Sequence, residues 1–254
     1  MNHSTKFQAV PSTPGLKKLA AAAIGAIALM GAAPAMADTI NFESLAPTVF
    51  GGTEVFSEAG YNLTVIDTPV AGPGGTGFAG VIINGLDPNS CDIAACPVGN
   101  SSHFYAGVND GSLNLARGDN KAFTLQSLDY GFVAPVGGLA SYSYGQLTVV
   151  GQKAGGGTVS ASFDFPALVG GNSPFVTASL ASKFGNTLFS NVTISSCIFS
   201  GNDCVNPAGN QAQFALDNVI LAAVPEPETY AMMGLGLAAI GLVARRRAQK
   251  QNNV

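Results

Sequence analysis

The chain has 254 residues, of which 47% are hydrophobic and only 10% charged, with 32 glycines and no tryptophan. All 15 acidic residues fall between Asp38 and Thr229, where only Arg117, Lys121, Lys153 and Lys183 are basic, so four positive charges against 15 negative leave that stretch at −11. A body this acidic repels nucleic acid and anionic lipid, which excludes a nucleic-acid-binding role and leaves divalent cations and neutral or cationic glycans as compatible partners.

At the start, Lys6, Lys17 and Lys18 precede an alanine-rich apolar run, Leu19 to Gly31. Ala35-Met36-Ala37 then offers a small-x-small cleavage site, with Asp38 as the new N-terminus. This is the pattern of a secretory signal peptide, read by the Sec translocon and cut by signal peptidase, so residues 1–37 are set aside from the fold. The apolar core is too short to serve comfortably as a spanning anchor.

The next stretch, 38–223, is long enough for one domain with a substantial core. Apolar and polar residues alternate over 39–45, 61–66, 78–83, 121–130, 146–152, 158–165, 192–196 and 213–221, the period of a strand with one buried face. Gly72-Pro73-Gly74-Gly75 and Gly155-Gly156-Gly157 punctuate them, and Asn109-Asp110-Gly111 is a turn signal joining two further strands. A helical period is absent apart from one short turn expected over 177–184. The expectation is an all-β fold: a single β-sandwich or jelly-roll-like domain.

The four cysteines form two close pairs, Cys91 with Cys96 and Cys197 with Cys204. Export implies an oxidising compartment, so disulfides are expected. Of the three connectivities, the two local bridges are favoured because each closes a small polar loop. A zinc site would want two-residue spacing and usually histidine, and the body has only His103. Asp87-Pro88-Asn89-Ser90-Cys91-Asp92 is oxygen-rich but lacks the glycine and downstream glutamate of an EF-hand, so a disulfide-stapled turn is expected there.

Catalytic patterns are scarce. His103 is the only imidazole able to serve as a base, and there is no Gly-x-Ser-x-Gly elbow, phosphate loop or dinucleotide fingerprint. Glu43, Glu54, Glu58 and the aspartates offer many carboxylate pairs, none singled out by its spacing. With no tryptophan, Tyr105, Tyr130, Tyr142 and Tyr144 are the candidates for stacking on sugars, although Tyr142 and Tyr144 would also suit one face of a strand. The expectation is a protein that is not an enzyme.

The C-terminal segment, 224–247, reads as an address. Pro225 and Pro227 flank Glu226, an apolar run of 15 residues extends from Tyr230 to Ala244, and Arg245, Arg246 and Arg247 follow. The prolines force extended geometry on their neighbours and keep that segment out of the helix. The run is slightly short of the ~17–25 residues of a relaxed spanning helix, yet insertion remains feasible when flanking charges snorkel or the bilayer thins. A single transmembrane helix is expected, with the arginines and a tail, 248–254, on the cytoplasmic side. Gly234, Gly236 and Gly241 suit close packing in lipid.

Pro225-Glu226-Pro227, a short apolar helix and an arginine cluster resemble the PEP-CTERM sorting signal of exopolysaccharide-producing Gram-negative bacteria. That resemblance implies exosortase as the processing partner, cleavage near the motif, an inner-membrane-anchored precursor, and delivery to the cell surface or extracellular matrix. It implies nothing about the fold. Gln213-Phe214-Ala215-Leu216-Asp217 also resembles the QFxxD motif of a PEP-CTERM subfamily, and 127–132 and 155–159 are similar to its internal strands. Phe214, Leu216 and Val219 would enter the core while Asp217 falls on the opposite phase near a strand end.

In many jelly-roll carbohydrate-binding modules an acid of the first strand and an aspartate of the last meet at a structural calcium ion. By that resemblance Glu43 and Asp217 would be ligands, with backbone carbonyls and water completing the shell. The alternative has Asp217 capping a turn and Glu43 solvated. No other cofactor is expected. The resulting expectation is an exported, sorted, structural protein of the cell surface or matrix. A carbohydrate-binding module contacting exopolysaccharide is the alternative, and a secreted glycan-active enzyme the third reading.

Overall fold

The computed structural model describes residues 37–68, 77–91, 94–206, 211–223 and 227–251. The expected signal peptide core, Ala35, the turn expected at Gly72–Gly75, and Pro225 and Glu226 lie outside the described residues. The chain divides into two compact units, one of them Met36–Val224 and the other containing the C-terminal helix; each is described by itself.

Among the described residues, the first unit is built of fourteen strands. They are β1 (Ala37–Ile40), β2 (Thr48–Phe50), β3 (Val55–Glu58), β4 (Tyr61–Ile66), β5 (Gly80–Asn84), β6 (His103–Gly107) and β7 (Ser112–Arg117). The second half adds β8 (Phe123–Phe132), β9 (Gly145–Lys153), β10 (Thr158–Asp164), β11 (Val176–Ser179), β12 (Phe189–Ser200), β13 (Asp203–Val205) and β14 (Phe214–Ala223). All ladders between named strands are antiparallel. The path runs β2-β5-β6-β14-β8-β12-β7-β4-β3, with β1 on β14, β11 on β8, β13 on β12, and β10 carried by β9 on β12.

The all-β expectation holds, but the two layers are not separate sheets. One sheet curls on itself, and its two arms are joined through a single rung, Phe123 opposite Phe189. The sequence explains the inner face. Tyr61, Leu63 and Val65 of β4, Leu113 and Leu115 of β7, and Leu147 and Val149 of β9 alternate with polar neighbours and are buried. They share one core with Ile40, Tyr105, Leu125, Phe214 and Leu216 from the other arm. Each fully buried Phe or Leu of this kind contributes ~1.5–3 kcal/mol.

The turn at Asn109-Asp110-Gly111 does join two strands, β6 and β7, but these belong to opposite arms. Asn109 (φ 51°) and Asp110 (φ 58°) are both left-handed, a conformation that asparagine and aspartate tolerate best among non-glycine residues. Asp110 then anchors the crossing, because its carboxylate accepts the amides of Gln211 and Ala212, both at 2.8 Å.

A second, smaller core covers the outer face of β5, β6 and β14. Val81, Ile83, Phe104, Ala106 and Ala215 pack there with Cys91, Ala94, Cys96 and Phe175. The cover is pinned by reciprocal bonds between Ala95 and Ala134 (2.8 and 3.1 Å) and by Val98 N–H to the Ser173 carbonyl (2.8 Å). Both local disulfides form: Cys91–Cys96 across this cover, and Cys197–Cys204 across the β12–β13 hairpin.

Several expected elements differ. The strand expected over 39–45 stops at Ile40, because Phe42 is left-handed (φ 59°) and Leu45 N–H turns back to the Phe42 carbonyl. The helical turn expected over 177–184 begins as strand β11, paired to β8, and only the residues after Ser179 turn. The open side of β10 is capped by side chains from elsewhere: Lys183 Nζ donates to the Ser160 carbonyl, and Tyr130 Oη of β8 donates to the Asp164 carbonyl at 2.9 Å.

In the second unit, α1 (Pro227–Gln251) begins at Pro227 itself. Pro227 therefore joins the helix instead of staying outside it, as proline does at a first helical position where the missing N–H has no partner to lose. Met232, Leu235, Leu237 and Leu242 are exposed on it. The expectation of a spanning helix is not met on length and hydropathy: among the described residues no helix is long and apolar enough to cross a membrane. The apolar stretch is short and the arginines and glutamines of the last turns dilute it.

Candidate functional site

Of the four tyrosines, two are removed from any surface role by burial. Tyr105 and Tyr130 belong to the main core. Tyr142 and Tyr144 instead sit just before β9, in the segment that follows β8. Tyr142 is 55% exposed. Its ring stacks on Tyr144, with centroids 4.1 Å apart and planes at 27°. Tyr144 stacks in turn on Phe132 at 5.8 Å and 9°, and Phe132 meets Phe165 at 5.2 Å. The result is a column of rings running from the core to solvent.

Hydrogen bonds hold that column in place. Tyr144 Oη donates to the Ala140 carbonyl at 3.1 Å, and the Tyr144 carbonyl accepts Phe199 N–H at 2.9 Å. Ser141 Oγ donates to the Leu168 carbonyl at 2.5 Å, which ties the tyrosine segment to the loop after β10. Those two loops approach closely: a Cβ on left-handed Gly171 (φ 84°) would lie 3.1 Å from Gly138.

A polar cluster occupies the edge of the second core. Asp217 is 1% exposed. Its carboxylate accepts Asn100 Nδ2 at 2.7 Å, Ser102 Oγ at 2.9 Å and the Asn218 amide at 2.7 Å. Burial raises its pKa above the ordinary carboxylate value, the donors pull it down, and the charge of Asp129 adds to the rise. Asp217 is not at a strand end. It lies within β14, where left-handed Asn218 (φ 46°) produces a break in register.

Glu43 is exposed in the turn after β1, off the strand, and its Oε1 accepts His103 N–H at 2.7 Å. Glu43 and Asp217 thus each hold a different part of the 100–103 stretch. Both carboxylates are occupied by protein N–H and O–H donors. Among the described residues no group of three or more His, Cys, Asp or Glu side chains is placed to hold a metal. His103 opens β6, and its buried Nδ1 has no hydrogen-bond partner among the described residues.

The remaining motif residues fall as follows. Gln213 and Phe214 are fully buried, and the Gln213 carbonyl accepts Val133 N–H at 3.3 Å. Ala37 and Asp38 form the start of β1. Arg245 and Arg246 are exposed on α1, and Arg247 lies in the same helix. The tyrosine column could be suspected from Tyr142-Ser143-Tyr144 alone, but Phe132 and Phe165 carried no signal linking them to it.

The fold is thus a β-rich body followed by a C-terminal helix whose last turns carry Arg245, Arg246 and Arg247. Residues 223–247 match the PEP-CTERM protein-sorting motif. A signal of this kind implies an exported, membrane-anchored precursor and processing by exosortase. No curated protein matches the chain. Among solved structures it is similar to a DUF4465 family protein from Bacteroides caccae (14% identity, 73% of this chain and 98% of that chain, TM-score 0.46). It is also similar to TmCBM61 in complex with β-1,4-galactotriose (10% identity, 71% and 92%, TM-score 0.33). A family 16 carbohydrate-binding module follows (12% identity, 58% and 88%, TM-score 0.25). Likenesses this distant carry no argument about activity.

Proposed function

We propose that this chain is the precursor of a non-enzymatic, structural protein of the cell surface or extracellular matrix of an exopolysaccharide-producing Gram-negative bacterium. It belongs, on this reading, to the QFxxD subfamily of exosortase substrates, with a jelly-roll-like body. The sorting motif at 223–247 carries the proposal. It directly follows the last strand of a disulfide-clipped body, so a cut near Pro225 would free that body without opening its core. The apolar part of α1 would hold the precursor in the inner membrane by snorkelling of Arg245–Arg247, since its length alone falls short.

The test is deletion of Arg245–Arg247 in the producing cell. The expected result is accumulation of a longer, membrane-associated precursor and loss of the surface form on immunoblots of cell fractions. Maturation indistinguishable from the parent would overturn the sorting reading.

A second reading is favoured by one specific observation. The exposed Tyr142 ring, backed by Tyr144 and Phe132, supports a body that contacts exopolysaccharide as a carbohydrate-binding module.

A further inference from the structure

We propose that the outer face of Tyr142 is a stacking platform for a single neutral pyranose unit of a polysaccharide; this inference rests on the carbohydrate-binding reading above. A tyrosine ring left 55% exposed forgoes much of the stabilisation that burial would supply. Tyr142 is nonetheless fixed, because its inner face lies on Tyr144 at 4.1 Å and Tyr144 is held by Phe132 and by its own hydroxyl bond to Ala140. A ring immobilised on one side and open on the other is pre-organised: a ligand arriving on it pays little ordering entropy.

The chemistry of the ligand follows from the ring and its surroundings. The aromatic face carries partial negative charge and attracts polarised C–H groups. A pyranose presents such a set of C–H groups on its apolar face, with hydroxyls around the rim. The charge of the body narrows the class. It carries 13 acidic against four basic residues between Asp38 and Ala223, a net −9. Of its four cations, Arg117 pairs with Asp119 and Lys183 binds the Ser160 carbonyl. A uronic-acid or sulfated glycan would meet repulsion, whereas a neutral sugar would not. Exposed Val169 adjoins Leu168, whose carbonyl receives Ser141, the neighbour of Tyr142. The second loop therefore supplies apolar surface on a segment tied to the platform, suited to a sugar that is part of a chain.

The experiment uses the full chain in detergent micelles, titrated with neutral gluco-, galacto- and manno-oligosaccharides and, in parallel, with oligogalacturonate. Because the chain has no tryptophan, tyrosine emission is observable directly, and stacking on Tyr142 should change it. Isothermal titration provides the affinity. The expected result is binding of at least one neutral series, about a tenfold loss of affinity in Tyr142→Ala with loss of the emission change, and near-parental binding in Tyr142→Phe. An unchanged melting temperature in Tyr142→Ala shows that the loss is local. If the parent binds and Tyr142→Ala binds equally well, the platform is wrong while the carbohydrate reading stands. If no oligosaccharide binds the parent, both fall and the purely structural reading is left. Preference for oligogalacturonate overturns the neutral class.

Discussion

Asp217 on β14 stands directly opposite Asp129 on β8, and the two carboxylates divide the local donors between them. Asp217 takes Asn100, Ser102 and the Asn218 amide, while Asp129 takes Thr177 Oγ1 and, at 2.9 Å, Asn218 Nδ2. Like charges opposite one another on neighbouring strands are destabilising, and here the donors offset part of that cost.

This pair makes stability depend on pH in a stated direction. Burial, first, and the Asp129 charge raise the pKa of Asp217 in the fold. A raised carboxyl pKa means that the folded state holds the proton more tightly than the unfolded chain. The stability linked to that proton is fully present below the unfolded value of about 3.9 and is lost as pH rises through the folded pKa. Asp217→Asn removes this dependence and leaves one donor without its acceptor, at a cost of ~1–3 kcal/mol. Thermal melts should show a larger deficit of the variant at about pH 4 than at about pH 7. A deficit that grows as pH rises would refute the assignment.

Two buried tyrosines set the alkaline limit. Burial, followed by the charge of Asp38, pushes Tyr61 up to about 12, and burial alone raises Tyr105 further. The unfolded chain ionises its tyrosines near pH ~10, so stability present below that value is lost above it, for Tyr61 between about 10 and 12. Tyr61→Phe should flatten denaturant midpoints across that window. Tyr105 Oη has no hydrogen-bond partner among the described residues and rests on Gly80, where a Cβ would lie 2.5 Å from it. Tyr105→Phe should therefore be neutral or stabilising, and Gly80→Ala should cost ~1–3 kcal/mol by overpacking.

Lys183 guards an open strand edge. Among the described residues, strand β10 pairs only with β9, and Lys183 caps the Ser160 carbonyl on its free side. Unpaired edges recruit strands from other molecules. Lys183→Ala should raise the sedimentation-average mass at high protein concentration, with the melting temperature nearly unchanged. Lys183→Arg should stay like the parent. Equal mass for all three would remove the guarding role.

The two disulfides should not be equivalent. They close loops of similar span, separations of 5 and 7 residues, so chain entropy alone assigns each about 2 kcal/mol. Cys91–Cys96 also fastens the cover over the smaller core, whereas Cys197–Cys204 closes a hairpin end. The double variant Cys91→Ala/Cys96→Ala should lose more stability than Cys197→Ala/Cys204→Ala. It should also speed amide exchange at Ala95 and Val98, which pin the cover. Equal losses with unchanged exchange would show the cover to be held without the bridge.

How much of this was legible in the sequence depends on which faces are wet. Strands with one solvated face were visible: β4 occupies the expected span 61–66, and β9 and β10 differ from theirs by a residue or so. Strand β6 was not delimited, because Phe104 faces the second core and Tyr105 the first, so no polar alternate remains. The cover itself, 88–100, had no periodic pattern to betray it, although its cysteines were paired correctly. Phe42 hid the end of β1, since an apolar residue in a left-handed turn still reads as strand. Among the site residues, the tyrosine pair was legible, but its backing by Phe132 depends on a contact between segments that sequence spacing does not encode.

Strand β1 begins with Ala37 opposite Ala222 on β14, and Ala223 is paired in turn with Phe123 on β8. The first and last residues of the body therefore leave it side by side. A pull applied at Ala223 runs along β14 and loads its ladders to β1, β6 and β8 in parallel instead of peeling them rung by rung.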